Sequence, residues 1–148
     1  MDVEKILLIY ADGSCNHRRQ GGWSVYCKNF NYVRVGTDSN TTNNRMELMG
    51  MCAAIDYILE GIYTKAIIRS DSSYVINGIN KWLEKWYTYN FAEVKNPDLW
   101  MMIYHRIKRI QKEGREVEFV WVKGHASDPG NIRADEEAVK ARKKQFGK

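Results

Sequence analysis

The chain has 148 residues, of which 44% are hydrophobic and 28% charged, and it contains only 2 prolines. This composition excludes a disordered, collagen-like or disulfide-stabilised protein, because a chain of this size buries roughly 68–70% of its unfolded surface. The first apolar run, residues 6–11, is far shorter than the ~18 residues of a membrane span, and acidic Asp2 and Glu4 precede it where a signal peptide would be basic. We expect a single domain over residues 1–148, located in the cytoplasm and without membrane contact.

The charge balance favours an anionic partner. Lys and Arg number 23 against 18 Asp and Glu, giving a net charge of +5 and a sequence pI of about 9.1. Nucleic acid is the polyanion that such a charge attracts. A solvated basic C-terminus is the alternative explanation, because residues 140–148 carry much of the excess. The 3 cysteines lack CxxC spacing, so we expect free thiols and no cysteine zinc site.

The first half of the chain predicts a strand, a hairpin and a helix. A buried strand over residues 3–11 ends at the turn Asp12-Gly13-Ser14, and two short strands, 22–28 and 32–36, form a hairpin. Apolar residues then recur every three or four positions, which predicts a helix over residues 44–59 with an apolar stripe of Leu48, Cys52, Ile55 and Leu59. Thr41 and Thr42 are suitable N-caps.

The second half predicts strands that alternate with helices. The predicted elements are a strand at 64–70, one or two short helices at 74–86 interrupted near Gly78, a helix from a cap at Asp98 to Gly114, a buried strand at 117–122, and a last helix opened by residues 127–129. This order predicts a mixed sheet with helices packed on it, connected by right-handed crossovers.

Four acidic residues are placed where the sheet would bring them together. Asp12 and Asp71 follow two predicted parallel strands, and Glu47 and Asp135 lie on helices that can flank the strand ends. Each has an ordinary structural explanation by itself, as a turn, cap or solvated helix residue. The combination is what predicts a site.

Convergent carboxylates require counter-charge. Two carboxylates ~4 Å apart repel by about 4 kcal/mol at an effective dielectric near 20. Two Mg²⁺ ions would balance four carboxylates and could hold an attacking water and a leaving oxygen around one phosphate. The acidic set therefore predicts metal-assisted phosphodiester hydrolysis.

Neighbouring residues favour a nucleic-acid substrate. The segment 41–45 concentrates hydrogen-bonding side chains and a cation beside Glu47, which suits contacts to base edges, 2′-hydroxyls and phosphates. His125 lies in a predicted loop ahead of Asp135 and could move a proton. Among the aromatic residues we expect Trp82 and Trp100 to pack in the core, whereas Trp86 is a candidate for nucleic-acid contact.

Several ordered blocks together resemble the type 1 ribonuclease H family, whose members cut the RNA strand of RNA–DNA hybrids. The matching blocks are YADGS at 10–14, GGW at 21–23, TTNNRMEL at 41–48, SDSSYV at 70–75, VKNPDLW at 94–100, WVKGH at 121–125 and NIRAD at 131–135. They span nearly the whole chain in the family's order.

The resemblance implies a fold, a chemistry and a set of site residues. The implied fold is α/β, a five-stranded mixed sheet in the order 3-2-1-4-5 flanked by helices. The implied reaction uses two Mg²⁺ ions, with Mn²⁺ as a substitute, and leaves 5′-phosphate and 3′-hydroxyl ends; the protein would act as a monomer, without a separate N-terminal hybrid-binding domain. The implied roles are metal-binding catalytic carboxylates for Asp12, Glu47, Asp71 and Asp135, an auxiliary catalytic role for His125, minor-groove contact for Asn43 and Asn44, and contact near a DNA phosphate for Thr42, Arg45 and Asn96.

Three departures and two alternatives accompany this interpretation. The turn at 16–20 is charged and short, the segment 87–95 is less basic than a bacterial basic protrusion, and Ala126-Ser127 lacks a glycine that often follows the histidine.

The two alternative functions are a noncatalytic nucleic-acid-binding module, which would lack a carboxylate, and an integrase or transposase core. The 43–44 asparagines and the 123–125 loop argue against the second.

Overall fold

The computed structural model describes residues 6–124 and 127–147. Its centre is one five-stranded sheet in the order β3-β2-β1-β4-β5, which confirms the expected order. The strands are β1 (Leu7–Cys15), β2 (Gly21–Cys27), β3 (Tyr32–Asp38), β4 (Lys65–Ser70) and β5 (Glu116–Trp121). The first three form antiparallel pairs, and β1, β4 and β5 run parallel.

Strand β1 is longer than the sequence predicted, and Asp12 lies inside it rather than after it. Its parallel pairing with β4 ends at the pair Tyr10 and Arg69, but its antiparallel pairing with β2 continues to Cys15. The turn residues 12–14 are therefore held extended by the hairpin partner. Asp12 nevertheless lies beyond the end of the parallel ladder, which is the position that the site required.

The described residues form five α-helices, which pack on the sheet or on one another. They are α1 (Asn43–Glu60), α2 (Ser73–Asn77), α3 (Leu83–Thr88), α4 (Pro97–Lys112) and α5 (Pro129–Phe146), with a π-helical stretch at Gly78–Trp82 joining α2 to α3. Thr42 caps α1 as expected, since its hydroxyl accepts from the N–H of Arg45 at 3.1 Å. Asp98 was wrongly expected to cap α4: Asn96 stands at the N-cap in left-handed conformation, and Asp98 lies in the first turn.

The apolar core lies between the sheet and helices α1 and α4. The predicted stripe of α1 is buried in it, together with Ile9, Ile68 and Ile103. Helix α5 packs on the opposite face through small residues. This division matters because β1 directs alternate side chains to the two faces.

Strand β5 was expected to be buried but is an edge strand. It pairs with β4 alone, and its side chains are exposed or half-buried, with Trp121 half exposed. Trp82 was also wrongly expected in the core, since it is 46% exposed, whereas Trp100 is fully buried as expected. Among the described residues, no helix combines the length and the apolarity needed to cross a bilayer.

Candidate active site

Three of the four expected carboxylates meet at one end of the sheet. Asp12 comes from β1, Glu47 from the first turns of α1, and Asp71 directly follows β4. One carboxylate oxygen from each lies within 4.8 Å of the others. We call this set the acidic cluster. Strands β1 and β4 are parallel neighbours, so their chain direction brings Asp12 and Asp71 to the same sheet end.

Glu47 reaches the acidic cluster because α1 lies directly against β1. A Cβ atom at Gly13 would overlap the main-chain nitrogen of Glu47, and one at Gly50 would come within 2.8 Å of the Asp12 carbonyl oxygen. Glycine at both positions removes the side chain that would hold the helix away. The helix backbone therefore approaches closely enough for Glu47 to face Asp12.

Burial gives the acidic cluster unusual electrostatics. Asp12 is 2% exposed, and burial together with the charge of Asp71 raises the pKa of Asp12 to about 8. Burial and the charges of Asp12 and Asp71 also raise the pKa of Glu47 well above its ordinary value. Within the described chain, Asp12 Oδ2 and Glu47 Oε1 are buried without a hydrogen-bond partner. A cation or a hydrogen-bond donor would stabilise the charged form of such oxygens.

Asp135, the fourth expected carboxylate, lies beside the acidic cluster. It belongs to α5 and lines a cavity of about 130 Å³ together with Asp71. Its charge contributes to the raised pKa of Asp12. The structure thus brings Asp135 to the site, although among the described residues the set within 4.8 Å comprises only the other three.

Asn131 is a site residue that the sequence reasoning missed. Its Nδ2 donates to Asp71 Oδ2 at 3.5 Å, the residue is 3% exposed, and its Oδ1 has no partner in the described chain. Asn131 precedes Asp135 by four residues on α5, so the two share a helix face. That spacing was the available signal. Glu136 also lines the cavity.

His125 lies outside the described residues, so its expected auxiliary role stays a prediction. The last described residue before it, Gly124, passes close to the acidic cluster. A Cβ atom at Gly124 would lie 3.2 Å from Asp71 Oδ2. The chain therefore approaches Asp71 immediately before position 125.

The three residues expected near a DNA phosphate lie together. Thr42 is the N-cap of α1 and Arg45 lies in its first turn, and Arg45 Nη1 donates to Asn96 Oδ1 at 3.2 Å. Asn96 in turn donates to the Tyr74 hydroxyl at 3.2 Å. Asp98 was not expected here, yet it accepts from both terminal nitrogens of Arg45, at 3.1 and 2.8 Å. The guanidinium is thus already engaged by a carboxylate.

Asn43 and Asn44 form the exposed start of α1, next to the turn that carries Glu47. Trp86 is half-buried, and its ring meets Trp100 edge-on at a centroid distance of 5.0 Å. This contact gives Trp86 a packing role. Its contact with nucleic acid stays a prediction.

Comparison with solved structures defines the class of fold. The structure matches the crystal structure of LC9-RNase H1, a type 1 RNase H with the type 2 active-site motif, with a TM-score of 0.79 and 27% sequence identity. The match covers 99% of this chain and 76% of that one. The protein therefore has the α/β fold of a ribonuclease H.

Sequence comparison gives the family. The RNase H family model matches residues 4–143. Ribonuclease H of Orientia tsutsugamushi is 40% identical, over 88% of this chain and 79% of the relative. Ribonuclease HI of Pseudomonas aeruginosa PAO1 is 38% identical, over 91% of each chain. The chain belongs to the ribonuclease H family, hydrolases that degrade RNA in RNA–DNA hybrids, and the resemblance to the type 1 enzymes is confirmed.

Proposed function

We propose that this ribonuclease H cuts the RNA strand of RNA–DNA hybrids internally by a two-metal-ion mechanism that leaves 5′-phosphate and 3′-hydroxyl ends. The observation that carries the proposal is the acidic cluster, in which two of the three members have buried oxygens without a hydrogen-bond partner among the described residues. We further propose that Mg²⁺ is the natural ion, that Mn²⁺ can replace it, and that the protein acts as a monomer.

The donor set fits hard divalent cations. Every ligand that the acidic cluster offers is a carboxylate oxygen, the donor that Mg²⁺ and Mn²⁺ prefer. Burial, and after it the repulsion between neighbouring carboxylates, raises the pKa of Asp12 and of Glu47, and a bound cation would offset both effects. Asp12, Glu47 and Asp71 would hold the ions, with Asp135 at the edge of the site. Bound there, divalent ions activate water as a nucleophile and neutralise charge on the phosphate.

The remaining residues bind and orient the substrate. Asn43 and Asn44 present exposed amides beside the acidic cluster, where they can read the 2′-hydroxyls that distinguish RNA from DNA. Thr42, Arg45 and Asn96 hold a phosphate of the DNA strand, and Trp86 supplies an aromatic edge. His125 assists proton transfer to the leaving group. Together these contacts orient the RNA strand, so that its phosphate rather than that of DNA faces the carboxylates.

The direct test is cleavage of matched substrates. We expect labelled RNA–DNA hybrid to be cut with Mg²⁺, whereas double-stranded RNA and double-stranded DNA of the same sequence remain intact. End analysis should give 5′-phosphates and 3′-hydroxyls. Absence of hybrid cleavage, or equal cleavage of all three duplexes, would contradict the proposal.

A charge-removing variant tests the metal-binding assignment. Asp71→Asn keeps the shape of the side chain but removes its charge, so the rate should fall by at least about 100-fold while the fold is kept. Asp56→Asn is the matched control, since it removes a half-buried carboxylate charge from α1, away from the acidic cluster. Near-normal activity of Asp71→Asn would refute the role of Asp71.

A further inference from the structure

Helix α5 carries Asp135 and Asn131 but has little apolar surface to fix its position. Its buried residues are all small or polar: Gly130, Asn131, Ala134, Ala138 and Ala141. Small side chains allow the helix to approach the sheet closely but bury little apolar area. Polar contacts must therefore contribute strongly to where the helix lies.

Three polar side chains join the start of α5 to the two central parallel strands. Tyr10 of β1 donates from its hydroxyl to Asp128 Oδ1 at 2.8 Å. Arg69 of β4 donates from Nη1 to the Tyr10 hydroxyl at 2.9 Å and to Asp128 Oδ2 at 3.2 Å. Every pair in this set is bonded, so we call it the Tyr10–Arg69–Asp128 clamp. Tyr10 is 1% exposed, whereas the Arg69 and Asp128 side chains are 34% and 21% exposed, so these charge-assisted bonds are partly shielded from water.

The clamp lies next to the acidic cluster, two residues earlier along the chain at both β1 and β4. Tyr10 and Arg69 are paired in the parallel ladder, and each precedes a catalytic carboxylate, Asp12 or Asp71, by two residues. Residues two apart on a strand share a face of the sheet, so Tyr10 and Asp12 lie on the same face of β1. Asp71 directly follows β4, and the clamp therefore attaches α5 to the two strands that lead to Asp12 and Asp71.

The clamp also fixes the first turn of α5. Asp128 is its N-cap and accepts from the N–H of Gly130 at 3.0 Å. A Cβ atom at Gly130 would overlap the Tyr10 ring, so the helix backbone rests directly on that ring. Asn131 follows Asp128 by three residues and reaches Asp71, and Asp135 follows one turn later. A shift of Asp128 would move both side chains relative to Asp71.

We propose that Tyr10, Arg69 and Asp128 are positioning residues that seat α5 so that Asp135 and Asn131 complete the divalent-cation site around Asp71. The inference rests on the proposed function, because it concerns the same metal site. It goes beyond that function by assigning a role to three residues outside the acidic cluster. The Ser24 hydroxyl also donates to the carbonyl oxygen of Ala134 at 2.5 Å, and this hydrogen bond holds the middle of α5. Loss of the clamp should therefore displace the start of the helix without unfolding the protein.

Two conservative variants test the clamp. Tyr10→Phe keeps the ring under Gly130 and removes only the hydroxyl, whereas Asp128→Asn keeps a good N-cap and removes the charge that Arg69 binds. Binding of Mn²⁺ alone is measured by isothermal titration calorimetry, without substrate, beside hybrid-cleavage kinetics. We expect Mn²⁺ affinity to fall about 10-fold, as for residues that orient metal ligands, and kcat to fall by a similar factor. KM for the hybrid should stay within about twofold, because the substrate contacts are untouched.

The control breaks an ion pair of similar exposure elsewhere. Asp56 accepts from Arg106 at 2.7 and 3.3 Å, which joins α1 to α4 away from α5. Asp56→Asn should lower the melting temperature without changing Mn²⁺ affinity. The double variant of Tyr10 and Asp128 should lose less affinity than the two single losses combined, since both act through one helix position.

The outcomes separate this inference from the proposed function. If the clamp variants lose melting temperature as Asp56→Asn does but bind Mn²⁺ normally, the clamp is only structural and the inference is overturned, whatever the hybrid assay gives. Should the wild-type protein bind Mn²⁺ but leave hybrid intact, the function is wrong, and the calorimetry still decides on the clamp. A wild-type protein that binds no Mn²⁺ would overturn the inference. If Tyr10→Phe does not fold, Asp128→Asn decides by the same criteria.

Discussion

Gly13 of β1 and Glu47 of α1 touch backbone to backbone, since a Cβ atom at position 13 would overlap the main-chain nitrogen of Glu47. The contact joins the strand that carries Asp12 to the helix that carries the second carboxylate. Space at one glycine therefore determines the separation of two members of the acidic cluster.

We expect Gly13→Ala to push α1 away from β1. The overlap should cost about 1–3 kcal/mol of unfolding free energy, as overpacking usually does, and weaken Mn²⁺ binding because Glu47 moves with its helix. Chemical denaturation and calorimetry measure the two effects. Gly114→Ala is the control: Gly114 has φ +72° and open space around it, so alanine there should cost about 1 kcal/mol through backbone strain without changing metal affinity. Equal metal affinity in both variants would contradict the expectation.

The acidic cluster predicts an unusual dependence of stability on pH in metal-free protein. The pKa of Asp12 rises from an ordinary 3.8 to about 8, because burial and the charge of Asp71 disfavour its ionised form. The folded protein thus holds this proton more tightly than the unfolded chain. The resulting stabilisation is complete below the unfolded pKa and is lost as pH rises through about 8. Glu47 has a shift of the same sign.

Melting temperatures in a chelator should therefore fall between about pH 4 and about pH 8, and added Mg²⁺ should restore more stability at the higher pH. Asp12→Asn provides the comparison, because an amide does not titrate. Its melting temperature should depend less on pH than that of the wild type. Identical pH dependence of the two proteins would exclude Asp12 as the source.

Because Asp98 engages the Arg45 guanidinium, we expect removal of the Asp98 charge to strengthen substrate binding. Their side chains are 30% and 60% exposed, so the pair contributes at most about 1 kcal/mol to stability. Asp98→Asn should release the guanidinium for phosphate and lower KM for the hybrid by about threefold at low salt. Glu60→Gln is a closely matched control, since it frees Arg34 from a bidentate pair of 28% and 57% exposure. A higher KM in Asp98→Asn would instead indicate that Asp98 orients Arg45.

Trp86 can be tested apart from its packing role. Trp86→Phe retains an aromatic edge against Trp100, so the melting temperature should change little. If the indole contacts the substrate, KM for the hybrid should rise by about threefold to 10-fold, the usual scale for a lost stacking contact. An unchanged KM would assign Trp86 to packing alone.

The strand order was implied by the resemblance to the family's ordered blocks, and the structure confirms it. The meeting of Asp12, Glu47 and Asp71 was predicted from the alternation of strands and helices, which places their elements at one end of the sheet. The length of β1 was not predictable from its own residues, because its last residues are extended only through pairing with β2. Residues 82 and 86 share a helical spacing, yet only the tertiary fold decides which of the two tryptophans faces solvent. The monomeric state and the cellular compartment stay predictions.

The clamp was also beyond the reach of sequence reasoning. In the sequence alone, Tyr10 is an aromatic residue of one predicted strand and Arg69 is a cation of another. Asp128 is a residue at the start of a predicted helix. Their relation depends on the register that sets Tyr10 beside Arg69 and on the helix start that faces them. Only the assembled sheet and helix bring the three into contact.

The small buried residues of α5 have a consequence for local opening. Detaching this helix exposes alanine and glycine, whereas detaching α1 would expose Met46, Leu48, Met51 and Ile55. Amide hydrogens of α5 should therefore exchange with deuterium at a lower opening free energy than those of α1. Asp135 lies on this helix, so we expect local opening of α5 to remove it from the site while the main core stays folded, and the fraction of molecules with a complete site to depend on that local equilibrium.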